Sequence, residues 1–281
     1  MKSPKKRQKT LPIPSISNFR KKVLRYFATY GRNDLPWRNT YDPYKIMVSE
    51  VMLQQTQVSR VVEKYKEFLK LFPKVEQLAK ASLRDVLKVW SGLGYNRRAK
   101  FLHEAAKAVM KEYKGKMPKT AEELERLPGI GPYTARAIAA FAYNTPSVFI
   151  ETNIRTVFIH HFFPNEDLIS DKELLPLITE AAIGQDTREW YAALMDYGVY
   201  LKQTTNNPSR RSAHHTKQEV FKGSLREARG LILKVLSNNV GLTKSHISIK
   251  TGLESERVES ALRGLEKDGM VVRRGTKWGI A

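Results

Sequence analysis

The sequence has no cysteine among its 281 residues. Disulfide bonds, thiolate metal sites and iron–sulfur clusters held by cysteine are therefore excluded. It also lacks an apolar run long enough to cross a membrane. Its basic N-terminus, MKSPKKRQK, is followed by no apolar segment of the kind that signal peptides carry. We therefore expect a cytoplasmic protein without a membrane segment.

Acidic residues are scarce relative to basic ones. Lys and Arg number 49 against 28 Asp and Glu, which gives a formal net charge of +21. This excess favours a polyanionic partner, with nucleic acid ahead of an anionic membrane surface. The length allows one large domain and one small one.

Changes in residue pattern divide the chain into four segments. Residues 1–16 are polar, basic and punctuated by proline, which predicts a disordered tail. Helical periodicity dominates residues 17–201 and predicts roughly ten helices without a sheet. Residues 202–223 lose this periodicity and indicate a linker or surface loop. In residues 224–281, three helical patterns followed by two strands around Gly275 predict a winged helix.

The motif LPGIG at residues 127–131 lies between two helical patterns. Gly129 and Gly131 allow a tight turn with positive φ. They also expose backbone N–H groups beside a helix N-terminus, which suits a phosphate group. This is the helix–hairpin–helix pattern, which contacts the DNA backbone without regard to base sequence. A plain helical turn is the alternative, and the basic charge of the chain favours the DNA-binding interpretation.

A single carboxylate interrupts the apolar helical pattern of SEVMLQQT, residues 49–56. On a helix Glu50 shares a face with Ile46 and Leu53. Burial there disfavours the charged form, so we expect the pKa of Glu50 to rise toward neutrality. A carboxyl group that keeps its proton near pH 7 can act as a general acid. A structural glutamate paired with an arginine is the alternative.

These motifs occur in the order typical of one protein family. LPGIGPYTARAIAAFAYN, followed by ETNI at residues 151–154, resembles the helix–hairpin–helix (HhH-GPD) base-excision DNA glycosylase superfamily. LPWR, SEVMLQQTQV and WSGLGYNRRAKFLHEAA resemble its MutY-type branch, the A/G-specific adenine DNA glycosylases. The similarity extends over about residues 18–200 and implies an all-α, two-lobed core ahead of the winged helix. It implies that adenine mispaired with guanine or 8-oxoguanine is flipped out of double-stranded DNA and removed by acid-catalysed hydrolysis.

The resemblance also implies roles for individual catalytic residues. Glu50 is expected to protonate the adenine ring, and ionised Glu151 to stabilise the sugar cation and support attack by water. The family usually has aspartate at that second position, and the extra methylene shifts the carboxylate by about 1.5 Å. Asn153 belongs to the same motif and is grouped with the catalytic residues. Tyr133 stands where strand-cleaving relatives carry a lysine, so we expect base removal without β-lyase activity.

Further residues are expected to contact DNA on the same resemblance. Gln55, with Thr56 beside it, is expected to fill the gap that a flipped base leaves in the stack. Tyr95, in GLGYNRRA, is expected to lie beside the opposing base.

One departure from the family lies in the loop NPSRRSAHH, residues 207–215. The family binds a four-iron cluster through cysteines in this region, and this chain has none. We therefore expect no cofactor, although the hairpin backbone leaves room for a monovalent cation. The loop is expected either to order itself by hydrogen bonds or to contact DNA through Arg210 and Arg211.

A second departure is the predicted winged helix, which stands where the family has a domain that recognises 8-oxoguanine. Arg273, Arg274 and Lys277 crowd its hairpin, so we expect non-specific contacts with DNA phosphates. Contact with a protein partner is the alternative. Which opposing base is required, and the oligomeric state, do not follow from the sequence.

Two other functions stay open on the sequence. A thymine or uracil mismatch glycosylase would share Tyr133 and the hairpin, although Glu50 and LQQTQ favour adenine. A catalytically inactive DNA-binding protein is the other alternative, favoured by glutamate at 151 and by the missing cluster ligands.

Overall fold

The computed structural model describes residues 14–217 and 220–281. Its α-helices, in chain order, are α1 (Ile16–Tyr30), α2 (Pro43–Leu53), α3 (Val58–Leu71), α4 (Val75–Lys80), α5 (Leu83–Trp90), α6 (Arg97–Glu112), α7 (Ala121–Glu125), α8 (Pro132–Tyr143), α9 (Thr152–Phe162), α10 (Asp171–Ala182), α11 (Thr187–Thr204), α12 (Leu225–Asn238), α13 (Lys244–Thr251) and α14 (Ser255–Lys267). Two short 3-10 helices span Pro36–Asn39 and Pro208–Arg211, and the strands are β1 (Leu242–Thr243), β2 (Val271–Arg274) and β3 (Lys277–Ile280). In these two ranges, no helix has both the length and the apolar character needed to cross a bilayer.

The first helix begins close to the end of the predicted tail. Most of that tail, residues 1–13, lies outside the described residues. α1 begins at Ile16 because Ser15 caps it: the Ser15 side chain accepts a hydrogen bond from the backbone N–H of Asn18 at 3.3 Å. The prediction of a helical region without a sheet is confirmed, since α1–α11 follow one another with no named strand between them in the described part of the chain.

Packing divides the chain into two units made of discontinuous segments. The first unit comprises Met1–Asn33 with Asn144–Lys217 and contains α1, α9, α10 and α11. The second comprises Asp34–Tyr143 with Gln218–Ala281 and contains α2–α8, α12–α14 and the sheet. The four segments inferred from the sequence follow chain order, whereas these units cut across it.

The first unit is held by an aromatic cluster around α1. The ring of Phe19 lies 5.0 Å, centroid to centroid, from those of Phe158 and Phe162, and 6.0 Å from that of Trp190. Tilted and edge-on contacts of this kind add to the hydrophobic gain of burying large rings. The cluster joins α1, α9 and α11, and so fixes the helix that begins just after Glu151.

The two chain segments that make up the second unit share one hydrophobic core. Trp90 of α5 and Leu236 of α12 are both completely buried in it. α2 packs against α8, and α12 packs against α5. Each buried leucine-sized side chain contributes about 1.5–3 kcal/mol. The C-terminal segment is therefore part of the core of this unit.

The C-terminal segment has the three helices and the hairpin that its sequence predicts. β3 lies between β1 and β2 in an antiparallel sheet, and Trp278 pairs with both Leu242 and Arg273. β1 was not predicted, because two residues are too few to show an alternating pattern. Trp278 is only 9% exposed and belongs to the core.

The predicted linker, residues 202–223, differs from the structure at its start. α11 continues to Thr204, because backbone hydrogen bonding persists beyond the point where the apolar pattern stops. The 3-10 helix Pro208–Arg211 then packs on the first unit, with Pro208 and Ser209 buried, and a bridge pairs Ile169 with Ser212. Much of this segment is thus an ordered part of the first unit.

Candidate active site

α2 carries Glu50 into the interior of the second unit. The helix starts at a cap, since the Asp42 side chain accepts from the backbone N–H of Tyr44 at 2.9 Å. Ile46 and Met47 are buried beside Glu50, and only 7% of Glu50 itself is exposed. The expected burial is confirmed. The expected rise in the pKa of Glu50 stays a prediction.

Two side-chain hydrogen bonds join α2 to the first turn of α8. The Tyr133 hydroxyl donates to Oε2 of Glu50 at 3.3 Å, and Nε2 of Gln54 donates to Oγ1 of Thr134 at 3.1 Å. The sequence marked Tyr133 only as a residue that is not lysine. Its contact with Glu50 spans 83 positions of the chain, a separation at which no local pattern signals a partner.

The hairpin between α7 and α8 depends on Gly129. This residue has φ of +75°, and a Cβ there would lie 2.4 Å from Cβ of Phe101. Gly131 does not have positive φ. The Gly131 position has open space around it. Among the described residues, the backbone N–H groups of both glycines have no acceptor, which suits an anion at this turn.

The loop after α2 presents Gln55 to solvent. Gln55 is exposed and has φ of +54°, a conformation uncommon for a residue other than glycine. Oγ1 of Thr56 donates to the carbonyl of Gln54 at 3.3 Å and accepts from Arg98 at 3.0 Å. Gln55 is thus held on a tight, tethered turn at the surface. That it fills a gap in DNA stays a prediction.

Arg98 ties this loop to the loop that carries Tyr95. Its guanidinium donates to the carbonyls of Val51 and Met52, at 2.8 and 3.0 Å, and to those of Leu93 and Gly94, each at 3.3 Å. Carbonyls at the end of α2 lack helical partners, and a cation there is favourable. Burial lowers the pKa of Arg98 to about 10, so it stays charged at neutral pH. Arg98 was not among the residues predicted from the sequence; its one signal was a helix that ends without a capping glycine.

Tyr95 is half-buried and is held by two arginines. Its φ is +46°. Its hydroxyl accepts from Nη1 of Arg226 at 2.6 Å. The guanidinium carbons of Arg98 and Arg226 lie 5.4 and 5.1 Å from the ring centroid, within range of cation–π attraction. Arg226 was not predicted from the sequence either, since it lies 131 positions away on α12.

Glu151 begins α9 in the first unit. Oε1 accepts from the backbone N–H groups of Asn153 and Ile154 at 2.7 and 2.9 Å, and Oε2 accepts from Nδ2 of Asn153 at 3.2 Å. An anion at a helix N-terminus is stabilised by the helix dipole. Lys202, also missed, donates from Nζ to Oδ1 of Asn153 at 2.7 Å. Burial lowers the pKa of Lys202, and the charge of Glu151 opposes that shift. The carboxylate is thus fixed by an ordered network.

The loop that departs from the family is ordered by Arg211. Its guanidinium donates to the carbonyl of Glu166 at 2.7 Å and to that of Phe163. Arg211 thus shows the first of the two expected alternatives, ordering by hydrogen bonds. Arg210 is exposed, and its contact with DNA stays a prediction. Because the chain has no cysteine, its residues do not fit a cysteine-bound iron–sulfur cluster.

The expected phosphate-binding cations of the wing lie on the strands of the hairpin. Arg273, Arg274 and Lys277 are all exposed. By contrast, Arg257 in α14 is paired with Glu227 at 3.1 Å, and Lys244 with Glu259 at 2.8 Å. The exposed cations of the hairpin can therefore meet phosphates without first breaking ion pairs of this kind.

Comparison with known proteins agrees with these features. Residues 48–181 match the family described as HhH-GPD superfamily base excision DNA repair protein. The chain is 35% identical over 189 residues to an adenine DNA glycosylase of Buchnera aphidicola subsp. Baizongia pistaciae, which is 67% of this chain and 54% of that protein. It is 34% identical over 262 residues to an adenine DNA glycosylase of Mycolicibacterium smegmatis, which is 86% of this chain and 89% of that protein. The chain thus spans about half of the first relative and most of the second.

A solved structure illustrates the similarity in both fold and sequence. A thermostable thymine-DNA glycosylase superimposes with a TM-score of 0.58 and 28% identity, covering 65% of this chain and 85% of that chain.

Proposed function

Because the chain belongs to the HhH-GPD superfamily of base excision DNA repair proteins, and within it to the adenine DNA glycosylases, we propose that it removes adenine from mispaired duplex DNA. The opposing base in this proposal is guanine or 8-oxoguanine. The observation that carries the proposal is the buried carboxyl group of Glu50, which lies on α2 ahead of the exposed Gln55.

Glu50 acts in this proposal as the general acid. Protonation of a ring nitrogen turns adenine into a neutral leaving group, and proton transfer of this kind contributes about 10²- to 10⁴-fold in rate. A buried carboxyl group is suited to it because desolvation favours the protonated form. The Tyr133 hydroxyl, 3.3 Å from Oε2, orients the carboxyl group through a hydrogen bond.

Glu151 acts as the anion that stabilises the positive charge on the sugar as the glycosidic bond breaks. Its hydrogen bonds to the start of α9 and to Asn153 hold it in one orientation. Lys202 fixes the amide of Asn153 in turn. Water then adds to the sugar and leaves an abasic site.

DNA binding in this proposal combines contact with a phosphate of the DNA backbone and flipping of the adenine out of the stack. The turn at Gly129 and Gly131 offers N–H groups to a phosphate. Gln55 occupies the space left by the flipped adenine, because a vacated stack collapses unless something fills it. The reaction needs no cofactor beyond protein and water, since protonation and charge stabilisation are both supplied by side chains.

A thymine mismatch glycosylase is the second candidate, because a thymine-DNA glycosylase is among the similar structures. The curated relatives, named as adenine DNA glycosylases, favour the first. A phenol cannot form an imine with the abasic sugar. Tyr133 therefore supports base removal without strand cleavage in either case.

The test is a panel of duplexes with adenine opposite guanine, 8-oxoguanine or cytosine, and with thymine or uracil opposite guanine. Alkali after incubation nicks any abasic site. We expect nicks at adenine opposite guanine or 8-oxoguanine and only after alkali. Cleavage at thymine alone would favour the second candidate, and no cleavage on any duplex would reject both. Nicks without alkali, with a borohydride-trapped adduct, would contradict the absence of lyase activity.

A further inference from the structure

Two loops of the second unit border the same cavity of about 650 Å³, one through Gln55 and the other through Tyr95. Both residues have positive φ, +54° for Gln55 and +46° for Tyr95. Residues other than glycine rarely adopt this conformation, and it persists where surrounding contacts hold the backbone. Strained residues of this kind also cluster at binding sites. The contacts that hold the two turns therefore bear on how the protein binds DNA.

Arg98, at the start of α6, contacts the chain on both sides of Gln55. Its Nη1 donates to the carbonyl of Gln54, and its Nη2 donates to Oγ1 of Thr56 at 3.0 Å. Oγ1 of Thr56 in turn donates to the carbonyl of Gln54 at 3.3 Å. The turn that presents Gln55 is thus closed by hydrogen bonds that converge on one guanidinium.

The same guanidinium holds the residues that precede Tyr95. Nη2 of Arg98 also donates to the carbonyls of Leu93 and Gly94, each at 3.3 Å. The guanidinium carbon lies 5.4 Å from the ring centroid of Tyr95, within range of cation–π attraction. A guanidinium is planar and its donors lie in a fixed fork, so its bonds to the two loops cannot adjust independently. A shift of one turn therefore breaks hydrogen bonds or moves the group that holds the other turn.

We propose that Arg98 is a positioning residue that couples Gln55 and Tyr95 when the protein binds mispaired DNA. The inference rests on the proposed removal of adenine and deepens it. Gln55 enters the space left by the flipped adenine as Tyr95 moves beside the opposing base, because one group holds both turns. Each contact with DNA is therefore stronger in the presence of the other.

Capping of α2 is the other role open to Arg98, since its guanidinium also binds the carbonyls of Val51 and Met52. A cap alone would stabilise the fold without linking the two contacts with DNA. The two roles therefore differ in one measurable quantity, which is the dependence of one DNA contact on the other.

The test is a double-mutant cycle, which measures whether two residues act independently. Gln55→Ala, Tyr95→Leu and the variant that carries both are compared with the native full-length protein. Kd is measured on a duplex with 2′-fluoro-2′-deoxyadenosine opposite guanine, because the electron-withdrawing fluorine disfavours positive charge on the sugar and slows excision. We expect the double variant to lose at least about five-fold less affinity than the product of the two single losses.

The same cycle in an Arg98→Lys background separates coupling from stability. Lysine keeps the charge but offers a compact ammonium group without the planar fork. We expect the two losses to multiply within about two-fold in this background. Arg60→Lys is the matched control, because Arg60 is an exposed arginine of α3 in the same unit, and it should keep the native coupling. Urea unfolding shows which variants are folded.

Thr56→Val provides a second background that leaves Arg98 in place. Valine has nearly the shape of threonine and lacks the hydroxyl that Arg98 binds, while the carbonyls at the end of α2 keep their donor. We expect the coupling between Gln55 and Tyr95 to be at least about two-fold weaker here than in the native protein.

Three results overturn the proposal. One is independent losses in the native background, which requires no variant of Arg98. The second is native coupling in a folded Arg98→Lys variant. The third, which decides if Arg98→Lys does not fold, is native coupling in Thr56→Val. Binding is measured here without excision, so these results are distinct from failure of the proposed function, which is a native protein that removes adenine from no duplex.

Discussion

Glu50 is the residue on which the proposed chemistry depends most directly. We expect Glu50→Gln to lower the single-turnover excision rate by at least about 100-fold, because glutamine keeps the shape of the side chain and has no acidic proton to donate. Binding to the same mispaired duplex, measured by fluorescence anisotropy, should stay within a few-fold of native. Glu63→Gln is the control, since Glu63 is an exposed carboxylate of α3 in the same unit. Excision by Glu50→Gln at more than a few per cent of the native rate would refute the acid role.

Glu151 tests whether the first unit has adapted to the longer side chain. Aspartate caps a helix as well as glutamate does or better, so Glu151→Asp should keep the stability of α9. It should move the carboxylate by about 1.5 Å relative to Asn153. A misplacement of about 1 Å can cost on the order of 100-fold in rate, and we expect a loss approaching that size.

The rates of Glu151→Asp and of a second variant, Glu151→Gln, indicate how Glu151 acts. A slower Glu151→Asp variant would indicate that the network of Asn153 and Lys202 suits glutamate. A faster one would indicate that the native site is impaired by the extra methylene. Glu151→Gln, which loses the charge, should retain little activity. Native rates in both variants would mean that Glu151 does not act at the reaction centre.

At the scale of the element, the two glycines of the hairpin between α7 and α8 have different roles. Gly129 is needed for the backbone conformation and packing, and Gly131 for the proposed phosphate contact. In Gly129→Ala, the new Cβ would lie 2.4 Å from Cβ of Phe101 at φ of +75°. Neither atom can rotate away, so we expect a loss of about 1–3 kcal/mol in the free energy of unfolding, measured in urea. Gly131→Ala meets open space and should stay within about 0.5 kcal/mol of native.

Measuring the DNA affinity of the Gly131→Ala variant then tests whether Gly131 contacts a phosphate. Under the proposed phosphate contact, Gly131→Ala should bind duplex DNA more weakly although it is as stable as the native protein, because a Cβ at the turn holds the phosphate away from the N–H groups. Unchanged affinity in Gly131→Ala would show that phosphate does not approach this turn.

The wing is a second element with a measurable role. Replacing Arg273, Arg274 and Lys277 together by glutamine should flatten the slope of log affinity against log salt concentration by about two to three units, since each phosphate contact contributes about 0.9. Deleting the whole C-terminal segment is a poorer test. α12 packs against α5 in one core, so the deletion would expose apolar side chains of that core.

The matched control for the wing removes the same charge elsewhere in the segment. Lys234, Lys250 and Lys267 are exposed on three different helices. Their triple replacement by glutamine should change the slope by less than one unit. Equal slopes for the two triple variants would mean that the wing has no special contact with phosphates and that a protein partner is the better explanation.

At the scale of the whole molecule, the half-buried His161 links stability to pH. Burial, with the charges of His160 and Lys22 adding to it, lowers the pKa of His161 to about 3. In the unfolded chain its pKa is about 6.5. The unfolded state therefore binds more protons between these values, so the stability that neutral His161 contributes is complete above about pH 6.5 and is lost as the pH falls toward 3.

We expect this linkage to appear in equilibrium unfolding as a function of pH. Between pH 7 and pH 5, His161→Gln should lose roughly 2 kcal/mol less of its free energy of unfolding than the native protein does. Glutamine retains a polar partner for the Tyr197 hydroxyl, which lies 3.0 Å from Nε2 of His161. His215→Gln, at an exposed position, should follow the native curve. Parallel curves for the native protein and His161→Gln would show that this ring is not the acid-sensitive group.

The sequence by itself determined the features that depend on local pattern. Periodicity predicted the helical region, because the apolar pattern that marks a helix repeats within one or two turns of the chain. The missing cysteine excluded a cysteine-bound cluster outright. Glu50 was found as a carboxylate in an apolar run, and Gln55 by the resemblance of that run to the MutY-type family.

Only the tertiary structure decided which distant residues meet. Tyr133 reaches Glu50 across 83 positions, and Arg226 reaches Tyr95 across 131. No local pattern encodes such pairs, since they depend on how helices pack. Arg98 was missed for the same reason: an arginine within a basic helix looks like a solvated charge until the carbonyls that surround it are known. The division into two units also followed packing and not chain order, because burying the apolar faces of α5 and α12 against each other outweighs their distance in sequence.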